Sequence, residues 1–327
     1  MKVFVAGATG VLGHRTVSRL VAAGAEVTGV ARSPERVCRI EGLGARAVQV
    51  SLFDPEPLAA AVAGHDVVVN LATAIPTGER AASPGSWEEN HRIRREGSRN
   101  LVDAALATGA GTYVQESIAL LYADGGDGWL DETSPIVDGD ATASALEAEA
   151  QAGRFAQQGG TGIVLRFGQL YGYDSGHTVD AIAAVRGGQP AELGAEGAWR
   201  SAVTTDDAAA AVLAVLGFGG AGDGAPSGIY NVVDDQPLRR TENVAALAAA
   251  LHVPVPVPAT VEPDLPPGLA VMLRSQRVTS RRLKDATGWQ PIHPSAREGW
   301  PFVVGEWGWH TAEPQWTERD ERTERTG

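Results

Sequence analysis

Three stretches of the chain carry residues whose types and spacing can do chemistry. The first is a glycine loop, Gly7-Ala8-Thr9-Gly10-Val11-Leu12-Gly13, set between the apolar run Val3-Phe4-Val5-Ala6 and a segment with helical apolar spacing. In that setting Gly7 permits a tight turn, Gly10 lets the backbone approach a pyrophosphate, and Gly13 lets helix and strand pack closely. The helix N-terminus then faces the anion. The spacing is GxxGxxG, so its meaning depends on the strand before it and the helix after it. The second stretch is Ala31-Arg32-Ser33, at the place where an acidic side chain would hold the ribose diol of NAD. A guanidinium there is a bidentate partner for a 2′-phosphate, Ser33 adds a hydrogen bond, and Arg36 and Arg39 follow on the next helix. NADP(H) is therefore the preferred cofactor, with NAD(H) the alternative. The third set can move protons: Glu116, Ser117 and Tyr122 near the end of the fifth strand, and His177 after the sixth. A carboxylate at a buried strand end is expected to be desolvated and its pKa raised, unless it pairs with an arginine such as Arg166. Ser117 is equally readable as a hydroxyl capping backbone groups. His177 and His91 titrate near neutral pH without help, although a lone loop histidine is more often simply solvated.

Strands alternate with helices along most of the chain. After the first strand and its helix come Glu26–Val30, Val48–Val50, the nearly all-apolar Val67-Val68-Val69-Asn70-Leu71, Thr112–Gln115 and Gly162–Arg166. A strand that is apolar throughout is one buried on both faces. Trp87 to Thr108 reads as one long helix, Ala141 to Gln151 as another, and Asp206 to Leu216 and Glu242 to Leu251 as two more, with a strand at Ile229–Val232. The pattern predicts a Rossmann-type doubly wound parallel sheet with a smaller C-terminal substrate lobe. Residues 1–170 form the nucleotide-binding domain, with sheet returns from about 201–235. Residues 171–305 form the lobe interleaved with it, and the Trp-, Thr-, Glu- and Arg-rich 306–327 reads as a flexible tail. Tyr171, Tyr173, Trp129 and Trp199 flank the expected pocket.

Composition narrows the partners. The chain has 327 residues and a net charge of −13, so no basic face exists to neutralise nucleic-acid phosphates. No stretch is apolar enough for a membrane span and the start lacks a signal-peptide pattern, so a cytoplasmic location is expected. The single cysteine, Cys38, excludes an intrachain disulfide and a cysteine metal cage, and no metal site is expected. A small molecule is the expected partner.

Several motifs then follow in order: the glycine loop; Asn70-Leu71-Ala72-Thr73; the helix of Asn90 with Gly97-Ser98-Arg99-Asn100-Leu101-Val102; Val164 to Gly172; Ser201 to Ala208; and the closing segment Leu283 to Trp300. Together they resemble the extended short-chain dehydrogenase/reductase family, also called the NAD-dependent epimerase/dehydratase family. The resemblance implies a nucleotide bound by Gly7, Thr9, Gly10, Val11, Leu12, Gly13, Arg32 and Ser33, with Ser51 and Leu52 at the adenine. It places Leu71, Ala72, Thr73 and Asn90 along the pyrophosphate and ribose, and Phe167, Gln169 and Leu170 beside the nicotinamide. Homodimers are common in such families.

Hydride chemistry in that family uses a Tyr and a Lys four residues later, because a phenol needs a nearby cation to work at neutral pH. None of the five tyrosines here has a lysine at that distance, and the chain has only Lys2 and Lys284. By the rhythm of Ser144, Leu146 and Glu149, Ala141 takes the Tyr position and Ala145 the Lys position. The expected function is an atypical NADP(H)-dependent oxidoreductase acting on a small carbonyl, alcohol or secondary metabolite. A redox-silent NAD(P)-binding regulator and a non-redox isomerase or cyclase are the alternatives.

Overall fold

The computed structural model describes residues 1–327 except 84, 138, 140–141, 192–194, 219–223, 258–270 and 313–327. The strands in chain order are β1 (Lys2–Ala6), β2 (Glu26–Ala31), β3 (Arg46–Gln49), β4 (Val67–Asn70), β5 (Thr112–Ile118), the short β6 (Trp129–Leu130), β7 (Thr161–Phe167), β8 (Gln169–Tyr171), β9 (Trp199–Arg200), β10 (Ala202–Thr204), β11 (Gly228–Val232), β12 (Leu238–Arg239) and β13 (Arg277–Val278). Seven of them form one parallel sheet in the order β11-β7-β5-β4-β1-β2-β3. The chain builds outward from β1 in one direction through β2 and β3, then returns to β4 and builds the other way. The carboxyl ends of β1 and β4 therefore flank the point where the order reverses, which is where open sheets of this kind bind ligands.

The edge strand β3 has no buried residue, while the central strands of the sheet are covered on both faces. Helices α1 (Gly13–Ala22), α2 (Pro34–Gly42), α3 (Pro55–Val62), α4 (Glu88–Arg92), α5 (Ser98–Thr108), α6 (Ala143–Gln157), α7 (Gly176–Arg186), α8 (Thr205–Val215), α9 (Arg240–Leu251), α10 (Arg281–Thr287) and α11 (Ala296–Ala312) do this and build the lobe. Val5, Val69, Val114, Ile163 and Leu165 pack with Leu12, Val17 and Val212 on one face. Phe4, Val68 and Tyr113 pack with Leu58, Leu101 and Phe155 on the other. Apolar side chains at period two feed both cores, the pattern of a sheet sandwiched by helices. The lobe has its own core of Tyr171, Ile182, Val185, Leu247 and Trp300, spanned by the pairs β8–β10 and β9–β12.

Two elements differ from the sequence reading. The single helix expected over 87–108 is interrupted by a π-turn at Ile93–Gly97. An inserted residue of that kind leaves the apolar period nearly intact, so periodicity does not reveal it. The closing helix α11 runs through Ala312, past the boundary drawn at 306. The remainder of that tail, and Ala141 at the expected tyrosine position, lie outside the described residues. Among the described residues no helix is long and apolar enough to cross a membrane, and no three His, Cys, Asp or Glu side chains are grouped to hold a metal ion.

Candidate active site

The nucleotide side of the crevice is built from backbone. Gly7 has φ +80°, and a Cβ there would stand 2.5 Å from the carbonyl carbon and oxygen of Leu71. A Cβ on Gly13 would stand 2.0 Å from the Gly7 oxygen, so the turn and the helix start exclude any larger residue. The Gly10 amide donates to the Gly7 carbonyl at 3.0 Å and closes the turn. Helix α1 begins without a side-chain cap at Leu12, so no side chain satisfies its first amides, the groups a helix start offers to an anion. Ala8, with its side chain buried, and Leu12 anchor the loop to the core, while Thr9 and Val11 stay partly accessible.

The end of β4 is shaped by two buried asparagines. Asn70 Oδ1 accepts from the Ala72 amide at 3.1 Å, and Asn90 Oδ1 accepts from the Ala74 amide at 3.0 Å. Asn70 thus holds the Leu71-Ala72-Thr73 stretch from within and Asn90 holds its far end at Ala74. The Asn90 Nδ2 is buried without a partner among the described residues. At the neighbouring corner Ser51 Oγ accepts from the Phe53 amide, and the Leu52 carbonyl accepts from Asn100.

Arg32 follows directly on β2, half exposed, with its NH1 3.6 Å from Glu89 Oε1. Arg36 has its pKa lowered by partial burial and by the positive charges of Arg32 and Arg39, so the three guanidinium groups crowd one corner. Like charges held together cost free energy that a bound anion relieves. Ser33 accepts no cap from its helix but bonds the exposed Glu35 carboxylate, whose pKa it lowers.

The opposite side, at the carboxyl ends of β5 and β7, is built from side chains that hold one another. Glu116 forms a bidentate pair with Arg94, Nε to Oε1 at 3.0 Å and NH2 to Oε2 at 3.2 Å, both almost fully buried. The carboxylate is therefore ion-paired, and its partner is Arg94 of the π-turn rather than Arg166. Arg166 instead grips Glu149 through Nε and NH2 at 2.8 and 2.7 Å. Ser117 donates to the same carboxylate at 2.6 Å. Tyr122 is fully buried; its hydroxyl accepts from Arg166 at 3.1 Å and donates to Asn231 Oδ1 at 2.7 Å. Burial raises its pKa, and the Arg166 charge only partly opposes this. Ser117 and Tyr122 are thus parts of one buried network, Ser117–Glu149–Arg166–Tyr122–Asn231.

The other titratable candidates lie apart. His177 stands at the start of α7 in a narrow cavity of the lobe with Gln169, Tyr171, Leu247 and Trp300. Burial lowers its pKa. Gln169 Oε1 is buried without a partner among the described residues, next to the buried Phe167 and the half-buried Leu170. His91 Nδ1 sits 2.8 Å from Ser144 Oγ and its ring stacks on Trp87, tying α4 to α6. Ala145, at the expected lysine position, is fully buried. Lys2 lies at the opposite end of the sheet beside Glu26, and Lys284 is paired with Asp235. Of the remaining tyrosines, Tyr171 keeps a buried hydroxyl without a partner among the described residues, in the same cavity as His177. Tyr113 is bonded to Gln115, Tyr171 packs on Trp300, Tyr173 stacks on His310, and Tyr230 donates to the Pro226 carbonyl. Sequence reasoning missed Arg94 and Asn231: a charged residue inside a helix pattern reads as solvated, and an asparagine within a short strand carries no signal of its partner.

Residues 3–232 match the NAD dependent epimerase/dehydratase family. A 3-diazoavenalumate denitrifying reductase of a Streptomyces species is 35% identical over 315 residues, 91% of this chain and 99% of that protein. A 2-alkyl-3-oxoalkanoate reductase of Shewanella oneidensis is 32% identical over 133 residues, 40% of this chain and 32% of that protein. Among solved structures, MoeE5 in complex with UDP-glucuronic acid and NAD superposes with a TM-score of 0.76 at 22% identity, covering 95% of this chain and 100% of that one. The UDP-glucose 4-epimerase of Thermus thermophilus, in complex with NAD, gives 0.74 at 24% identity, with 94% and 99% covered. These structures share the fold.

Proposed function

We propose that this chain, which belongs to the NAD dependent epimerase/dehydratase family, is an NADP(H)-dependent reductase of a small electrophilic secondary metabolite. The observation that carries the cofactor choice is the corner of Arg32, Arg36 and Arg39 after β2, where partial burial and, second to it, the charges of Arg32 and Arg39 lower the Arg36 pKa. A 2′-phosphate placed there accepts charge-assisted hydrogen bonds that a 2′-hydroxyl cannot replace. When bound, the nicotinamide supplies a hydride. The chain's own part is to hold the pyrophosphate at Gly7, Gly10 and Gly13, with the first amides of α1. It also aims the nicotinamide end at the Phe167–Leu170 stretch.

The acceptor class follows from the groups that are engaged. Reduction of a carbonyl leaves an alkoxide that must be protonated, and Tyr122, Ser117 and Glu116 are already held by Arg166, Glu149 and Arg94. An acceptor that loses its leaving group on reduction makes no such demand. That the relative sharing most of the chain length is named a denitrifying reductase of a diazo compound supports this class. The same engaged groups favour one second reading, a redox-silent nucleotide-binding protein.

Two measurements separate them. Fluorescence titration should give tighter binding of NADPH than of NADH; equal affinity or tighter NADH overturns the Arg32 reading. Incubation with 4-deuterated NADPH and a panel of small electrophiles should place deuterium in a product. Nucleotide bound with no transfer to any acceptor supports the redox-silent reading instead.

A further inference from the structure

On the far flank of the edge strand β11, with β7, β5 and β4 between it and the glycine loop, lies a second cavity of about 360 Å³. Its floor is Asp234, in the turn that follows β11, and its rim includes Trp129, Arg281 and Lys284. Asp234 is 3% exposed, and its Oδ1 has no hydrogen-bond partner among the described residues. A buried carboxylate oxygen without a partner is costly, and it implies a ligand group that supplies the missing donor.

The cations near it are already engaged. Lys284 pairs with Asp235, and Arg281 lies 3.6 Å from Asp285 within its own helix. Asp207, on α8, accepts from the Ile292 and His293 amides at 2.7 and 3.1 Å and lies 3.1 Å from His293 Nδ1. Glu298, on α11, is bonded to Ser295. Asp234 therefore faces Asp235, Asp207 and Glu298 with no cation of its own.

Above this floor Trp129 is 50% exposed yet held still. The Arg277 guanidinium is sandwiched between it and Trp199, 4.1 Å from one ring centroid and 4.3 Å from the other, and Arg239 closes the column 4.4 Å from Trp199. Trp199 Nε1 and Arg239 both bond Asp127. The column presents the outer part of the Trp129 ring as a fixed platform, and an indole favours a cation or a ring upon it.

We propose that this cavity binds a small organic ammonium ion carried on a ring, with the ammonium on Asp234 and the ring on Trp129. A metal ion is the poorer occupant, because no group of three ligating side chains is present among the described residues. Burial and the neighbouring carboxylates push the Asp234 carboxyl well above the usual carboxylate range, so its anion is unfavourable without a cation beside it. A bound ammonium supplies that cation and forms a carboxylate–ammonium pair, any proton it displaces leaving to solvent. The proposal stands independently of the nucleotide reading.

Calorimetric titration of the full chain at pH 7.5, in phosphate and in HEPES, tests it with tyramine and its neutral analogue tyrosol. Tyramine should saturate, and tyrosol should bind about tenfold or more weaker, the ratio of a charged to a neutral hydrogen bond. Asp234→Asn, which keeps the shape of the side chain, should weaken tyramine about tenfold and leave tyrosol and NADPH affinity unchanged. Trp129→Ala should weaken tyramine several-fold and Trp129→Phe restore part of the loss. Equal binding of tyramine and tyrosol, no saturation by tyramine, or an undiminished preference for tyramine in Asp234→Asn would each overturn the assignment.

Discussion

The two halves of the crevice solve opposite problems. On the β1–β2 side the surface is backbone and free guanidinium: Gly7, Gly10 and Gly13 leave room, and Arg32 is held only by a long contact to Glu89. On the β5–β7 side the strand-end groups hold one another, from Arg94–Glu116 to the Ser117–Glu149–Arg166–Tyr122 chain, and unpartnered polar atoms appear beyond them at Gln169 and Tyr171. The first side is prepared for a ligand; the second is prepared for itself. The contrast teaches that the two surfaces differ in how freely residues can be exchanged. The first depends on backbone geometry that few residues can satisfy, whereas the second depends on side chains that hold one another in pairs.

The largest effect should come from breaking the grip. In Gly7→Ala the new Cβ meets the Leu71 backbone at 2.5 Å in a left-handed conformation. The cost is about 3 kcal/mol or more. A loss of nucleotide binding together with a lower melting temperature is expected. An alanine variant that binds NADPH normally would mean the loop does not approach the pyrophosphate.

The next effect tests the other side. Arg166→Ala leaves Glu149 buried without its cation, a cost of about 3–5 kcal/mol. Arg95→Ala removes the exposed Arg95–Glu147 pair and should cost under about 1 kcal/mol. Chemical denaturation of the two variants measures the difference. If Arg166→Ala is as stable as Arg95→Ala, the β5–β7 network is solvated and its groups are available for chemistry.

How much of this was legible in the sequence divides along the same line. The sheet, its order of construction and the glycine loop could be read because each has a strict local signature: apolar runs of strand length, helical period, and glycine where a Cβ cannot fit. The absence of a lysine four residues after any tyrosine could be read directly, and the rhythm of Ser144 and Glu149 assigned the expected lysine position to Ala145. Arg94 could not. It lies in a π-turn that periodicity does not show, and its partner Glu116 is on a strand 22 residues away. Nor could the cavity under Trp129, since β6 and β13, which frame it, are two residues each and carry no pattern.

A smaller effect sharpens the cofactor half. Arg32→Ser should weaken NADPH by about tenfold or more, the worth of a charge-assisted bond to phosphate, and leave NADH within about twofold. Because Glu89 competes for the same guanidinium, Glu89→Gln should tighten NADPH slightly. Equal losses for both nucleotides would make Arg32 a general positioning residue rather than a reader of the 2′-phosphate.

The smallest effect decides to which half His177 belongs. Burial in the lobe lowers its pKa below the ordinary 6.5, with only Asp180 acting the other way. The unfolded chain therefore binds a proton at His177 before the folded chain does. Its contribution is complete above about pH 6.5 and is lost as pH falls toward the lower folded value, so stability rises with pH across that window. His91 and His14 are lowered as well and act in the same direction, whereas the raised Asp234 carboxyl acts in the opposite one, so the part due to His177 is read as the difference between the wild-type and variant slopes of melting temperature from pH 5.5 to 7.5. His177→Gln should shallow that slope while leaving NADPH affinity unchanged, as expected of a packed neutral imidazole. A slope unchanged in His177→Gln, with product formation lost, would instead place this histidine among the groups that serve the reaction and give the β5–β7 half the proton carrier it otherwise lacks.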